Sequence, residues 1–307
     1  MYILQKGVKY AMGRQFRRFS GRCLEGIIFI GPSLLVFIPI VLFPFIYSVV
    51  ISFTNWDGIS SEMTWAGLQN YIRIFTQDTD FRNAFNFSIR ITVVTSLFSN
   101  IFGLFFAVLL TKKLHICPFG RTALLLPNIM SGVILGYIWQ FIFTRGFSAL
   151  GDFLGWDILQ LSWLGTPGTA FWGIALVSIW QWTGYTMIIY VAGINSISTE
   201  VWEAAMLDGA TGFQRFFRVT LPLIMPSVTI CVFWTVVRAF TMFDLPFALT
   251  GGGPFRSSET ISMNLYTEAF TRNNYGLGSA KAMLFFVAIL IIAQLQVYFT
   301  GKQEVEA

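Results

Sequence analysis

Charged residues are scarce in this chain, which excludes an ordinary soluble domain. Only 11% of its 307 residues are Asp, Glu, Lys or Arg, against about 25% in a typical soluble protein. Hydrophobic residues make up 55% of the chain, and the mean hydropathy is +0.66. A globule of this size cannot bury so much apolar surface. The composition therefore predicts a polytopic membrane protein.

Histidine and cysteine are also rare, which excludes several kinds of chemistry. The one histidine, His115, lies in a short basic stretch, and Cys23, Cys117 and Cys231 lack the spacing of a metal site. A membrane-embedded enzyme needs clustered His, Cys, Asp or Glu side chains, and a disulfide framework needs suitably placed cysteine pairs. The chain also lacks the Gly-Lys-Ser/Thr loop that cradles nucleotide phosphates. We therefore expect no catalytic residue, no metal and no cofactor on this chain.

Long apolar runs dominate the chain instead. A helix crosses the bilayer with about 20 mostly apolar residues, and six runs reach that length. They are apolar on most faces, as expected for helices that contact both lipid and one another. We predict an all-α polytopic membrane protein with six transmembrane helices. The predicted spans are 25–53, 84–111, 121–144, 170–194, 223–247 and 280–300.

Basic residues are distributed unevenly between the loops that join these runs. With the N-terminus in the cytosol, twelve of the 20 Lys and Arg residues lie on the cytosolic side and six lie outside. Membrane proteins carry an excess of basic residues in their cytosolic loops, so we predict that both termini are cytosolic. Because this uneven placement accounts for the basic residues, the net charge of +5 does not indicate nucleic-acid binding. The first apolar run is too long for a signal peptide and has no cleavage site, which predicts an uncleaved first span. The expected segments are a basic cytosolic segment at 1–24, a membrane domain at 25–307, external loops at 54–83, 145–169 and 248–279, and a cytosolic loop at 195–222.

The cytosolic loop contains the unusual stretch EAAMLDGATGFQRFFRVTLP, residues 203–222. Its pattern predicts a helix that breaks near a glycine, followed by a short second helix with one apolar face. The residues alone allow two interpretations: a rigid docking element for a cytosolic partner, or an interfacial amphipathic helix without a partner. The candidate caps are Ser198, Thr199 and Thr211, the break is at Gly209, and the apolar face carries Phe213, Phe216 and Phe217.

This stretch resembles the signature loop of the membrane subunits of binding-protein-dependent ABC importers. The family pattern is Glu-Ala-Ala, three residues, Gly, and then Leu-Pro about a dozen residues later. This chain matches it, although Ser198 stands where the family usually has Pro. In that family the loop docks into a cleft of an ATPase subunit and transmits its closure. The resemblance implies an ATPase-coupling role for Glu203, Ala204, Ala205, Asp208, Gly209 and Phe213.

Further stretches resemble the carbohydrate branch of this family, in particular the first of its two permeases. They include GLQNY at 67–71, ALTGGGPFRSSET at 248–260 and YGLGSAKAMLFF at 275–286. The resemblance covers nearly the whole chain and implies the type I importer permease fold. It also implies that the glycine loop, defined here as residues 251–260, lies at the outer mouth of the path and faces a solute-binding protein. The structural residues of this loop are then Gly251, Gly252, Gly253 and Pro254.

Polar and aromatic residues in the fourth and fifth spans are candidates for solute contact. Such residues are costly in lipid and usually face a bundle interior or an aqueous cavity. Arg238 is open to two interpretations: pairing with Asp244 or reaching the outer surface, or contact with a solute. In the related maltose permease, polar amides on the fifth span contact sugar, and this chain differs at those positions. The candidates are Ser178, Gln181, Trp182 and Tyr185 in the fourth span, and Thr235, Arg238, Ala239 and Met242 in the fifth.

The resemblance implies a set of partners. They are a second homologous permease subunit forming a heterodimer, two ATPase subunits that bind ATP and Mg²⁺, an extracytoplasmic solute-binding protein, a carbohydrate solute and membrane lipid. It also implies a bacterial cytoplasmic membrane location. The solute remains open: a mono- or oligosaccharide, glycerol phosphate or a uronic acid oligomer would fit. The alternative is an ion-coupled secondary transporter, which would require an inverted repeat or an intramembrane acidic relay.

Overall fold

The chain folds into helices over the part that the structure describes. The structure, a computed structural model, describes residues 29–111 and 117–302. These ranges contain no β-strand, and one isolated backbone bridge joins Thr54 and Trp65. The predicted basic segment 1–24, with Cys23, and the stretch around His115 lie outside the described residues. Cys231 is buried and forms no disulfide with the described part of the chain.

Five helices of the described chain are long and apolar enough to span a membrane. A bent pair, Gly212–Leu223 with Met225–Phe240, passes the same test when its two helices are taken together, which gives up to six spans. The predicted all-helical, six-span architecture is therefore confirmed. We number the spans in chain order: span 1 Phe29–Ile51, span 2 Thr79–Leu110, span 3 Gly132–Leu154, span 4 Pro167–Asn195, span 5 Met225–Phe240 and span 6 Tyr275–Gly301. Shorter helices cover Gln69–Thr76, Cys117–Ile129, Asp157–Gln160, Thr199–Leu207, Gly212–Arg215, Leu221–Leu223, Asp244–Thr250 and Ile261–Tyr266.

Two predicted spans are interrupted, so the expectation of continuous helices there was wrong. Within the predicted span 121–144, one helix ends at Ile129 and the next begins at Gly132. Within the predicted span 223–247, one helix ends at Phe240 and the next begins at Asp244. An apolar run does not reveal such breaks, because neighbouring side chains can satisfy the backbone groups that a break frees. In the predicted external loop 145–169, helix continues to Leu154 and resumes over Asp157–Gln160.

The short helices that follow the two breaks pack closely against each other. A Cβ atom on Gly136 would lie 2.5 Å from the Ala248 Cβ, nearer than real side chains approach. Glycine at this position therefore allows the helices Gly132–Phe141 and Asp244–Thr250 to touch. The Gln140 Nε2 donates a hydrogen bond to the Leu249 carbonyl at 3.3 Å, which satisfies a carbonyl near the helix end.

Span 4 forms the centre of the bundle. In the most apolar 18-residue stretch of span 4, 67% of the residues are buried. The corresponding share is 6% in span 1 and 0% in span 6, so spans 1 and 6 lie at the periphery. Spans 2 and 5 pack on span 4. The bundle has two ends, one carrying residues 198–222, which we call the EAA segment, and the other carrying the glycine loop.

Candidate transport path and coupling segment

The EAA segment is a helix–break–helix, as the sequence predicts. Its first helix is Thr199–Leu207, and Gly209 then adopts a φ of +72°, a left-handed conformation that glycine accommodates easily. Ser198 occupies the position before this helix, but its side chain makes no capping hydrogen bond. Thr211 caps the second helix through a reciprocal arrangement with Gln214. Short-range hydrogen bonds therefore define the shape of the segment.

The tip of this segment exposes apolar side chains that the described chain does not cover. Leu207 is 88% exposed and Phe213 is 73% exposed. The side chains of Glu203 and Asp208 are also exposed and form no ion pair with the described residues. Ala204 faces outward, whereas Ala205 is buried beneath the helix. An apolar tip beside acidic side chains has the composition of a surface that a partner covers.

A small cavity lies where the two helix breaks meet span 4. Its volume is about 120 Å³, and the Gln181 Nε2 beside it donates a hydrogen bond to the Met130 carbonyl at 3.2 Å, at the break before span 3. Four of the predicted solute-path residues therefore line one space: Gln181, Trp182, Arg238 and Met242. The other lining residues are Gly132, Thr241, Phe243, Asp244 and Leu245.

Arg238 and Asp244 line this cavity without pairing. Both side chains are exposed, and Arg238 forms no ion pair within the described residues. Of the two interpretations from the sequence, the pairing of Arg238 with Asp244 is not observed. The cavity therefore carries a guanidinium and a carboxylate that do not pair with each other, together with the amide of Gln181.

The remaining predicted path residues lie outside this cavity. Ser178 is buried, and its Oγ donates to the Ile174 carbonyl at 2.8 Å and lies 3.9 Å from the Met242 Sδ. The ring of Tyr185 packs against that of Trp234 in a tilted arrangement, with a centroid distance of 4.2 Å. Ala239 is part of the apolar core around span 4.

Thr235 belongs to a buried polar network that the sequence analysis did not anticipate. Its Oγ1 lies 2.8 Å from the Ser96 Oγ and accepts a hydrogen bond from the Asn100 Nδ2 at 2.9 Å. The Tyr190 hydroxyl donates to the Asn100 Oδ1 at 2.6 Å. The network thus joins spans 2, 4 and 5. The sequence signal for this network was the presence of Asn100 and Tyr190 within apolar runs, because a buried polar side chain needs a hydrogen-bond partner.

The glycine loop is closed on itself rather than extended. Gly251 ends the preceding helix with a φ of +59°, and Gly252 has a φ of +86°. The Ser258 backbone N–H donates to the Gly252 carbonyl at 3.1 Å, and the Thr250 and Ser258 hydroxyls lie 2.8 Å apart. The peptide bond before Pro254 is cis. Gly251 and Gly252 thus adopt left-handed conformations that glycine accommodates easily.

A network of ion pairs holds the glycine loop on the bundle. Arg256 bonds both oxygens of Glu259 and also contacts Asp80 at the start of span 2. The hydrogen bond to Glu259 is the main cause of a raised pKa for Arg256, which stays charged. Arg272 links Asp80 to Glu268. Asp80 is therefore engaged in ion pairs within the chain.

The centre of this network is Lys281, whose side chain is fully buried. Its Nζ lies 2.7 Å from an Asp78 oxygen, 2.8 Å from a Glu268 oxygen and 3.0 Å from the Asn264 Oδ1. Burial alone would raise the pKa of Asp78, but hydrogen bonds from Lys281 and the Phe81 N–H hold it below its ordinary value. All three ammonium donors thus have a partner.

Six apolar spans, helix breaks around a small cavity and an exposed segment at one end define a polytopic membrane protein. Comparison with known structures identifies the fold. A crystal structure of a bacterial ABC transporter involved in the import of the acidic polysaccharide alginate matches with a TM-score of 0.81 and 20% identity, covering 94% of this chain and 99% of that chain. This likeness shows the fold of an ABC importer permease.

Residues 126–304 match the family of binding-protein-dependent transport system inner membrane components, and the chain belongs to that family. A probable starch degradation products transport permease from Thermoanaerobacterium thermosulfurigenes is 41% identical over 91% of this chain and 94% of its own length. A multiple sugar-binding transport system permease from Streptococcus mutans is 34% identical over 86% of this chain and 90% of its own length. The family resemblance stated from the sequence is confirmed.

Proposed function

We propose that this chain is one membrane subunit of an ATP-driven, binding-protein-dependent carbohydrate importer. The observation that carries the proposal is the EAA segment. It is a helix–break–helix whose exposed Leu207 and Phe213 adjoin Glu203 and Asp208, two acids that form no ion pair with the described residues. An ATPase subunit that covers this tip would move it, and the segment would transmit the motion to the spans. The family match and the sugar permeases among the relatives favour this function over an ion-coupled secondary transporter.

The proposed assembly contains a second homologous permease, two ATPase subunits and an extracytoplasmic solute-binding protein. ATP and Mg²⁺ would bind the ATPase subunits, and the complex would lie in the bacterial cytoplasmic membrane with both termini of this chain in the cytosol. The glycine loop would then face the binding protein. ATP would shift the balance between inward and outward states only through its different affinity for the two.

We assign the solute path of this subunit to the cavity at the helix breaks. Gln181 and Arg238 supply hydrogen-bond donors there, Asp244 supplies an acceptor, and Trp182 supplies an aromatic surface. This is a set of groups suited to a hydroxyl-rich solute. The observed volume of about 120 Å³ is below the range of roughly 300–1,000 Å³ for small-molecule pockets. Passage would therefore require the helices around the breaks to separate, or the second permease to complete the site.

A charge reversal in the EAA segment tests the coupling role. Glu203→Lys should abolish solute uptake by the reconstituted importer, because it places a cation on the surface proposed to dock. Gly209→Pro should do the same by altering the break. The affinity of the binding protein for its sugar should be unchanged. Glu200→Lys, an exposed acid in the same helix but outside the motif, is the matched control. Normal uptake in both motif variants would contradict the coupling role.

The ATPase activity of the complete reconstituted complex tests the solute class. Activity should rise only when the binding protein and one sugar of a panel are present together. Uptake driven by an ion gradient, without any ATPase subunit, would support the secondary transporter instead.

A further inference from the structure

A cleft lies behind the EAA segment, between its two helices and the nearby ends of spans 2 and 4. Its volume is about 510 Å³. Val108 and Thr111 contribute from the end of span 2, and Ile194 and Asn195 contribute from the end of span 4. The EAA segment supplies the rest of the wall: Thr199, Trp202, Gly212, Arg215, Phe216 and Thr220, with Ile197 just before it. A molecule in this cleft would touch both the segment and the spans.

Among the described residues that line this cleft, Arg215 is the one charged residue. Its Nε atom is buried and makes no hydrogen bond to the described part of the chain. Among the described residues, no carboxylate lies within ion-pair distance of it, although Glu200, Glu203 and Asp208 belong to the same segment. A buried N–H donor without a hydrogen-bond partner is unfavourable. Arg215 therefore offers hydrogen-bond donors that an anion bound in the cleft would accept.

Arg121 provides a comparison, because its Nε is also buried without a partner. The Arg121 Nη2, however, donates to the Leu110 carbonyl at 2.6 Å, so that guanidinium is held by the backbone. Arg215 has no such hydrogen bond within the described chain. The two arginines have different surroundings, and only Arg215 lines the cleft.

The surroundings of Arg215 indicate the kind of anion. Its planar fork of donors matches the oxygens of a phosphate group. The side chains of Thr199 and Asn195 add polar groups, and the helix Thr199–Leu207 begins at the cleft with an uncapped N-terminus. The remaining wall is apolar and includes the half-buried Trp202, a residue type favoured at membrane surfaces. A phosphate with an apolar group attached fits this combination better than a fully hydrated ion.

We propose that this cleft is a binding site for a phosphate-bearing anion, with Arg215 as its main ligand. Two sources share this chemistry: the headgroup of an anionic phospholipid, and free inorganic phosphate. The bound group would join the EAA segment to the ends of spans 2 and 4, and it would thereby influence how movement passes between them. Such a site adds a point of regulation to the proposed coupling segment and does not depend on the identity of the solute.

The test uses the complete importer in nanodiscs of phosphatidylcholine, with or without phosphatidylglycerol. Native mass spectrometry counts the phosphatidylglycerol molecules retained on the complex. Arg215→Gln should weaken retention about tenfold or more, as expected for the loss of charge-assisted hydrogen bonds. The matched control is Arg218→Gln, because Arg218 is an exposed arginine of the same segment without an ion pair in the described chain. Arg215→Lys retains the charge and should retain part of the binding.

Each result distinguishes a source or overturns the site. Displacement of the lipid by millimolar inorganic phosphate in the wild type, but not in Arg215→Gln, would support the site with free phosphate as its ligand. Equal loss in both glutamine variants would show general surface charge and overturn it. Release of the ATPase subunits from Arg215→Gln, with lipid retention unchanged, would show that Arg215 pairs with an ATPase carboxylate. If the Arg215→Gln importer does not assemble, the Arg215→Lys importer is measured in its place. Complete loss of bound phosphatidylglycerol from the assembled Arg215→Lys importer would count against a site that depends on charge.

Discussion

Replacing Lys281 with methionine should destabilise the glycine-loop end of the protein. The ammonium group sits between Asp78 and Glu268 at 2.7 and 2.8 Å, and none of the lysine side chain is exposed. Methionine fills a similar volume without the charge, so two carboxylates lose their shared cation. Removing one partner of a buried ion pair costs about 3–5 kcal/mol. We expect the lower part of this range, because Arg272 remains bonded to Glu268 at 3.1 Å.

The assay is denaturant- or heat-induced unfolding of the purified subunit in detergent, compared with wild type at pH 7. Arg73→Met is the matched control, since Arg73 is exposed near the same end and forms no ion pair in the described part of the chain. That control should change the free energy of unfolding by about 0.5 kcal/mol or less. An equally small decrease in the free energy of unfolding of Lys281→Met would refute the argument that the network stabilises the fold.

The pH dependence gives an independent check on the same argument. In the wild type the pKa of Asp78 is lowered from its ordinary value of 3.8. Its contribution to stability is therefore complete above that value and is lost as the pH falls through the lowered pKa. In Lys281→Met, burial is no longer offset by the ammonium group, so the pKa of Asp78 should rise. Lowering the pH from 7 to 5 should then recover stability in the variant and leave the wild type nearly unchanged.

Two further changes test packing and hydrogen bonding within the spans. Thr235→Val removes a hydroxyl at nearly constant shape and should lower the free energy of unfolding by about 0.6–1.7 kcal/mol, as for other hydrogen bonds between membrane helices. Thr241→Val, at an exposed site, is the control in the same unfolding measurement. Equal effects of the two substitutions would argue against the network. Gly184→Ala would place a Cβ 2.0 Å from the Leu124 carbonyl oxygen and should cost about 1–3 kcal/mol by overpacking. Gly168→Ala is the control, because it lies in the same helix and has no atom within 4 Å of the added Cβ. It should leave the free energy of unfolding nearly unchanged. An equally small effect of Gly184→Ala would contradict the close packing.

The sequence predicts the number of spans and the shape of the EAA segment well, because both depend on local patterns. Apolar runs of sufficient length define spans, and Gly209 and Thr211 carry their own conformational preferences. The capping arrangement of Thr211 with Gln214 confirms that argument. Ser198 shows its limit, since a suitable residue at the correct position makes no capping hydrogen bond.

The helix breaks and the pairing of residues within the buried networks could not be predicted, because they depend on contacts between distant residues. The break after Ile129 is stabilised by Gln181, which lies about fifty positions later in the chain. Thr235 is predicted to contact the solute, and the sequence does not reveal that its hydrogen-bond partner Asn100 comes from another helix. Periodicity identifies the face of a helix, but it does not identify the residue that will lie opposite.

The bend between Gly212–Leu223 and Met225–Phe240 has a mechanical consequence. The two helices meet at 70° and are joined through Ile224 alone. The second helix has 16 residues, so it forms a lever arm about 24 Å long at 1.5 Å per residue. A rotation of roughly 10° at this elbow would move its far end by about 4 Å at that length. That end carries Arg238 and adjoins the cavity at the helix breaks. A small tilt of one short helix at the surface would therefore become a displacement of nearly a side chain's width at the cavity.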